Sequence, residues 1–176
     1  MKKLISIFLA AVCALSLCAC AKKEAPVDSA QFPEFEAVDF AGNVVNNEIF
    51  KDYDATIVNF WVNTCGYCIE EMPELEAYYQ GFKDKNINLI AIAISAGQSE
   101  DLKDEAETIL QGMGVTFPNL IPDFESSFVN DFITNIPGYP TTIIVDSQGK
   151  MIGEPILGAL KPQDKTLQLK LSAATN

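Results

Sequence analysis

The sequence contains no histidine and no arginine among its 176 residues. Without imidazole side chains the chain cannot form a Cys–His nucleophile pair, a zinc site with histidine ligands or a haem site held by histidine. It also shows no internal repeat and no long low-complexity tract. Several metal-binding and nucleophile classes are therefore excluded before any motif is considered.

Positive charge is also scarce. Once residues 1–19 are set aside, 10 Lys remain against 24 Asp plus Glu, a formal charge of −14. This balance argues against a nucleic-acid partner and against charge-driven binding to anionic lipid. A solubilising acidic surface is enough to explain it, so the charge alone does not predict a basic partner.

The N-terminus has the form of a bacterial export signal. Lys2 and Lys3 precede an apolar run over residues 4–17, which is too short for a comfortable membrane span. The run ends in residues 17–20 (LCAC), where Leu at −3 and Ala at −1 resemble the lipobox that precedes a diacylated cysteine. We therefore predict lipidation at Cys20.

This assignment divides the chain into a signal peptide (1–19), a lipidated tether (20–31) and a domain (32–176). Two acyl chains supply the two anchors that stable membrane attachment requires. The expected location is extracytoplasmic, anchored to a bacterial membrane as a lipoprotein. The alternatives are a signal cleaved without lipidation and lipidation at Cys18, which fits less well because Leu17 is bulky at −1.

Apolar patterns predict an α/β domain with a mixed sheet. Residues 55–62 and 87–95 are almost continuously apolar and indicate strands buried on both faces. The spacing after residue 68 predicts a helix, and residues 100–111 predict another, with Ser99 as its N-cap. For residues 117–136 the pattern predicts only a short helix. It then predicts a strand at 141–145, a turn at 146–149 and a returning strand at 150–154. For residues 167–171 it does not decide between a strand and a helix.

Cysteine arithmetic isolates one reactive pair. Cys13, Cys18 and Cys20 fall in the predicted signal and lipid site, which leaves Cys65 and Cys68. In an oxidising compartment two cysteines three positions apart can react with each other. Two thiolates alone make a poor zinc site, and a disulfide across so small a loop stabilises little, so a redox pair is favoured over both alternatives.

The placement of the pair indicates which cysteine attacks. Cys65 follows a buried strand and begins a helix, where free backbone N–H groups and the helix dipole favour a thiolate. Thiolate is the attacking species in disulfide exchange, so Cys65 is the predicted nucleophile and Cys68 the resolving cysteine. Gly66 between them leaves room for a substrate backbone.

Three sequence blocks resemble the TlpA/ResA-like thioredoxins. They are residues 59–75 (NFWVNTCGYCIEEMPEL), residues 114–118 (GVTFP) and residues 136–150 (IPGYPTTIIVDSQGK), and the likeness covers about residues 32–160 in the right order and spacing. The resemblance implies a thioredoxin-like fold, a mixed central sheet flanked by helices, with an N-terminal strand or hairpin within 35–50. It also implies membrane-anchored, extracytoplasmic reduction of protein disulfides.

The resemblance further assigns a substrate-binding surface. It implies a cis peptide bond at Pro140, facing the disulfide, where the adjoining backbone holds an extended substrate segment. Tyr139 precedes that proline, and Gly66 and Tyr67 lie between the cysteines. By sequence alone a proline at the start of a strand is unremarkable, so this assignment depends on the cysteine motif. No metal and no bound organic cofactor is expected, because the cysteines themselves are the redox centre.

Two residues depart from the family pattern. Thr64 stands where a tryptophan usually precedes the first cysteine, and Tyr67 stands where many members have proline. The Gly-Tyr dipeptide is instead similar to that of periplasmic disulfide isomerases. The direction of electron flow therefore stays open between reductase and oxidase or isomerase.

Glu71 is a third candidate for the chemistry. It shares a helix face with Cys68, whereas Glu70 points away. The resemblance places a family glutamate at this position, and a half-buried carboxylate there would have a raised pKa and could relay a proton. The alternative, a solvated residue in an acidic run, is the interpretation we give to Glu70, Glu74 and Glu76.

The leading hypothesis is a reductase for disulfides in exported proteins, such as apocytochrome c or an oxidised methionine sulfoxide reductase. Its electrons would come from a membrane thiol-transfer protein. The alternatives are an oxidase or isomerase and a non-enzymatic copper-delivery lipoprotein, which the missing histidine disfavours. A peroxidase is also considered, although no Pro-x-x-x-Thr-x-x-Cys arrangement precedes Cys65.

Overall fold

One mixed sheet organises the computed structural model, which describes residues 30–175. Its strands are β1 (Glu36–Asp39), β2 (Val44–Asn46), β3 (Ala55–Trp61), β4 (Ile87–Ala93), β5 (Asn119–Pro122), β6 (Thr141–Asp146) and β7 (Ile156–Leu157). They lie in the order β2-β1-β5-β4-β3-β6-β7, with β3, β4 and β5 parallel and the other neighbours antiparallel. The predicted mixed sheet and N-terminal hairpin are both confirmed.

Three helices pack against one face of this sheet. They are α1 (Gly66–Phe82), α2 (Glu100–Gly112) and α3 (Lys165–Ala174). Their buried side chains form one hydrophobic core with the residues of β3 and β4 that point to this face. The core includes Ile57, Trp61, Met72, Leu75, Leu89, Ala106 and Leu167. The predicted N-cap of α2 is confirmed, because the Ser99 side chain accepts a hydrogen bond from the Leu102 N–H.

The other face is covered by the N-terminal segment and by short helical turns at Asn47–Asp52, Phe128–Phe132 and Ile133–Asn135. Six phenylalanine rings meet there with centroids 5.3–6.5 Å apart; they are Phe32, Phe35, Phe50, Phe60, Phe128 and Phe132. Because both faces are covered, every residue of β3 is buried. This explains why the strand appears in the sequence as a continuous apolar run.

Two predictions about the later part of the chain need correction, and one open question is decided. The segment 117–136 contains strand β5 as well as helical turns. Residues 167–171, left open between strand and helix, belong to helix α3. The returning strand is β7, whereas Lys150 and Met151 of the predicted strand 150–154 form only isolated bridges. Gly153, with φ +62°, interrupts the extended backbone there.

The topology brings the chemically interesting residues to one edge. The parallel strands β3, β4 and β5 all end there, and α1 and α2 begin there. On the other side of β3, Thr141 is paired with Phe60, so Pro140 lies beside the end of β3. The pair Cys65 and Cys68 and the Tyr139–Pro140 loop are thus carried by neighbouring elements of the sheet.

Candidate active site

Cys65 and Cys68 form a disulfide at the start of α1, with their Cα atoms 5.2 Å apart. Cys65 is the N-cap of the helix, and its Sγ accepts a hydrogen bond from the Cys68 N–H at 3.2 Å. Cys65 is partly exposed, whereas Cys68 is only 1% exposed. A bulky disulfide can therefore meet only Cys65, and the N–H groups of the first turn would stabilise a thiolate there.

The residues between the cysteines face solvent. A side chain added at Gly66 would meet no atom within 4 Å, and the Tyr67 side chain is 73% exposed. Thr64, which precedes the first cysteine, is also exposed. The surface beside Cys65 is consequently open to a polypeptide, with Tyr67 as an aromatic side chain at its border.

The Tyr139–Pro140 peptide bond is cis, as the resemblance implies. Pro140 is buried, and its carbonyl oxygen accepts a hydrogen bond from the Gly158 N–H at 2.9 Å. Together with the 62% exposed Leu157, this loop lines a small cavity of about 150 Å³. The role of Tyr139 and Pro140 in holding a substrate stays a prediction.

Glu71 lies in the core, only 4% exposed, on the face of α1 that also carries Cys68. One carboxylate oxygen accepts a hydrogen bond from Asn59 Nδ2 at 2.9 Å and the other from the Leu160 N–H at 2.7 Å. Burial raises the pKa of Glu71 to about 7, although the two hydrogen bonds oppose this shift. A carboxylate with this pKa can accept or release a proton near neutral pH.

The remaining acidic residues of this helix differ from one another. Glu70 is exposed, as expected for a solvated residue. Glu76 instead holds the loop after α2, because its carboxylate accepts hydrogen bonds from the Thr116 N–H at 2.7 Å and the Thr116 hydroxyl at 2.6 Å. Burial is the largest single effect on the pKa of Glu76 and raises it, but the hydrogen bonds from Thr116, Gln80 and Phe117 together outweigh burial and lower the pKa. Glu76 is thus a structural residue, where the sequence predicted only a solvated one.

Sequence reasoning missed two asparagines. Asn59 holds Glu71, and Asn63 fixes the loop before Cys65 by donating from Nδ2 to the Leu102 carbonyl and to Glu105, both at 2.8 Å. Both asparagines are at most 5% exposed. Their signal in the sequence is a polar residue inside or directly after the apolar run of β3, where an unpaired amide would be costly.

The remaining predictions concern the N-terminus, metal binding and the membrane. The signal peptide, most of the tether and Cys20 lie outside the described residues. Within residues 30–175, no group of three or more His, Cys, Asp or Glu side chains is arranged to hold a metal ion. In the same part of the chain, none of the helices has the length and apolar character needed to cross a bilayer.

Comparisons with known proteins agree on the fold. The chain is 28% identical over 155 residues to thioredoxin-like protein YneN of Bacillus subtilis, covering 85% of this chain and 84% of that protein. It is 26% identical over 134 residues to thiol-disulfide oxidoreductase ResA of Geobacillus kaustophilus, covering 75% of this chain and 70% of that protein.

Solved structures give the same picture. A thiol:disulfide interchange protein of Chlorobium tepidum superimposes with a TM-score of 0.66 at 20% identity, over 86% of this chain and all of that one. StoA of Bacillus subtilis superimposes with a TM-score of 0.59 at 20% identity, over 82% of this chain and 97% of that one. The fold is therefore thioredoxin-like, as the resemblance to TlpA/ResA-like proteins implies. Residues 29–153 match the AhpC/TSA family profile, and the chain belongs to the AhpC/TSA family.

Proposed function

We propose that this protein is a thiol–disulfide oxidoreductase that reduces disulfides of exported proteins. The observation that carries the proposal is the contrast within one pair: a partly exposed Cys65 at a helix N-terminus, bonded to a buried Cys68. A structural disulfide needs no such contrast, whereas exchange requires one reachable sulfur and one protected sulfur. The relatives named thiol-disulfide oxidoreductase support the same activity.

The reduced pair would act in two steps. The Cys65 thiolate attacks one sulfur of the client disulfide, a mixed disulfide forms, and the first client sulfur leaves as a thiolate. Cys68 then loses its proton to Glu71 and attacks the Cys65 sulfur, which releases the second client thiolate and leaves the Cys65–Cys68 disulfide. The two electrons that reduce the client thus come from the dithiol.

A donor must reduce the pair again for the next turnover. We assign this role to a membrane thiol-transfer protein, because an exported domain has no contact with cytosolic reductants. Lipidation at Cys20 would keep the domain at the membrane surface, close to that donor. Client candidates are apocytochrome c and oxidised methionine sulfoxide reductase.

The buried carboxylate supports the reducing direction. A strong oxidant is one whose reduced form is stabilised, chiefly through its thiolate. An anionic Glu71 next to Cys68 disfavours a neighbouring thiolate, and this favours the disulfide form of the pair. The pair should therefore give electrons to clients rather than take them.

Oxidation or isomerisation is the second candidate, and the exposed Tyr67 in the Cys-Gly-Tyr-Cys motif favours it. The reduction potential of the Cys65–Cys68 pair, measured in glutathione or dithiothreitol buffers, separates the two. A value near the ~−270 mV of thioredoxin supports a reductase, and one near ~−120 mV makes the protein an oxidant. A pair that cannot be cycled would contradict both.

A further inference from the structure

A groove of about 610 Å³ opens between strands β1 and β5 and the start of α2. Its floor includes Ala96 and Gly97, and a Cβ at Gly97 would collide with the Pro122 carbonyl oxygen. The short connection after β4 is therefore pressed directly against the end of β5. The shape of the groove follows from this backbone packing and needs no rearrangement of side chains.

The groove lies on the same edge of the sheet as the dithiol. Strands β3, β4 and β5 are parallel and end on this edge, and antiparallel β1 starts there, with Val38 opposite Ile121. Neighbouring strands are about 4.8 Å apart, so β5 and β1 lie roughly 10 Å and 14 Å from β3. An extended polypeptide advances about 3.3 Å per residue, so about four residues reach from Cys65 to the groove.

The loop before Cys65 is bonded to the segment that leads into the floor of the groove. The Asn63 N–H, two residues before Cys65, donates to the Ser95 hydroxyl at 3.3 Å. Ser95 is followed immediately by Ala96 and Gly97 of the groove floor. The groove is on the β4 side of β3, whereas the Tyr139–Pro140 loop is on the β6 side, so the two are separate surfaces on either side of the dithiol.

The walls of the groove carry a distinctive mixture of groups. Four carboxylates line it, those of Glu36, Glu100, Asp123 and Glu125, against the single amine of Lys103. That amine is 3.4 Å from Glu100, so it offsets one of the four negative charges. Val38 and Phe124 add apolar surface, each 38% exposed. A ligand complementary to these walls carries positive charge beside an apolar side chain.

We propose that this groove binds the client polypeptide at a second place, about four residues from its cysteine. It would select clients with a basic and an apolar residue at that distance. The inference rests on the proposed disulfide exchange at Cys65 and names the class of client. Binding there would raise the local concentration of the client disulfide at the cysteine pair without touching the reacting sulfurs.

Peptide disulfides test the selection. Each probe is the symmetric disulfide of a ten-residue peptide that carries Leu-Lys at the fourth and fifth positions from its cysteine. One probe has this pair on the N-terminal side of the cysteine and another has it on the C-terminal side. Each probe has a matched control peptide with Leu-Glu in place of Leu-Lys. We expect the Lys peptide of one direction to be reduced about 10-fold faster in kcat/KM at low salt, with the preference falling as salt rises. Equal rates for all peptides would overturn the proposal.

Matched variants locate the effect. Glu36→Gln with Glu125→Gln removes two charges from the groove, and Asp52→Asn with Asp84→Asn removes two exposed charges near the opposite edge. The first pair should lower kcat/KM for the Lys peptide roughly 3-fold to 10-fold, and the second pair should not. Equal losses in both would show a general effect of net charge and would contradict a local site.

Two further readouts keep this test apart from the proposed function. Neutral 2-hydroxyethyl disulfide reaches only the dithiol, so both variants should reduce it at the wild-type rate. A protein that reduces no disulfide at all would contradict the proposed function. The groove is then tested by binding alone, with the Lys peptide carrying Ser for Cys. Its addition should shift the backbone NMR signals of Val38 and Phe124, and unshifted signals would overturn the proposal.

Discussion

The Glu71 carboxylate connects Asn59 of β3 to Leu160 in the loop before α3, accepting hydrogen bonds of 2.9 Å and 2.7 Å. The Asn59 amide also donates to the Thr142 hydroxyl at 3.1 Å, so the network extends to β6. The network thus links β3, β6 and the loop before α3 to one buried carboxylate, which lies on the helix face that carries Cys68. Burial of a charge at this position has consequences for stability and for the reaction.

The first consequence is a pH-dependent stability. Burial raises the pKa of Glu71 from 4.5 to about 7, so between these values the folded protein holds a proton that the unfolded chain does not. The contribution of Glu71 to the free energy of unfolding is therefore fully present below pH ~4.5 and is lost as the pH rises through ~7. This contribution is at most about 3 kcal/mol. Glu71→Gln should flatten this slope.

Urea unfolding at a series of pH values measures this pH dependence of the stability. The oxidised protein is used because disulfide-bonded cysteines do not titrate. Glu70→Gln, which changes an exposed neighbour, should keep the wild-type slope. An unchanged slope in Glu71→Gln would show that another group causes the pH dependence.

The second consequence concerns the resolving step. Cys68 is buried and must lose its proton before it attacks the mixed disulfide, and Glu71 is the carboxylate on its helix face. Glu71→Gln should slow resolution by about 100-fold, the lower end for general base catalysis, while the first attack by Cys65 keeps its rate. Stopped-flow single turnovers with a fluorescent peptide disulfide separate these two steps. An equal loss in both steps would indicate a structural effect rather than proton transfer.

The unequal exposure of the cysteines predicts different products for their serine variants. Cys68→Ser leaves the partly exposed Cys65 able to attack but not to be resolved, so it should accumulate a mixed disulfide with the client. Cys65→Ser leaves only the buried sulfur and should trap none. Non-reducing gels and intact mass after mixing with a peptide disulfide measure the adducts. Similar trapping by both variants would contradict the assignment of Cys65 as nucleophile.

The sequence predicted best where a pattern repeats over a whole element. The apolar runs of β3 and β4 reflect strands covered on both faces, and Ser99 marks the start of α2. Strand β5 has four residues, too few to establish a period, and it is held by pairing with β1 and β4. Its position therefore depends on contacts between distant parts of the chain, which a local pattern does not contain.

For the candidate site as well, the sequence predicted what local geometry determines and missed what the tertiary fold brings together. The cysteine motif fixes the position of Cys65, Cys68 and Glu71 because helix geometry relates them locally. The partners of Glu71 come from residues 59 and 160, which only the tertiary fold brings together. The groove near Phe124 likewise requires β5 to lie beside β1, and the sequence did not predict β5.

Asn63 should be important for stability although it does no chemistry. Its buried amide donates to the Leu102 carbonyl and to Glu105, and so ties the loop before Cys65 to α2. Asn63→Ala removes both of these hydrogen bonds, one of them to a carboxylate, and should lower the free energy of unfolding by about 1–3 kcal/mol. Asn135→Ala, which removes an exposed amide bonded to the Asp131 carbonyl, is the control and should have a smaller effect. Equal unfolding midpoints in urea would contradict this role.

The lipobox assignment makes membrane attachment depend on a single cysteine. Cys20 follows Leu17 at −3 and Ala19 at −1, and its diacylation would supply two hydrophobic anchors. Cys20→Ala should therefore move the protein from the membrane fraction to the soluble fraction and abolish incorporation of labelled palmitate, whereas Cys18→Ala should change neither. Detergent partitioning and metabolic labelling of the full-length chain measure both effects. Tight membrane association of Cys20→Ala would contradict lipid anchoring at this residue, and loss of anchoring in Cys18→Ala instead would move the lipid to that cysteine.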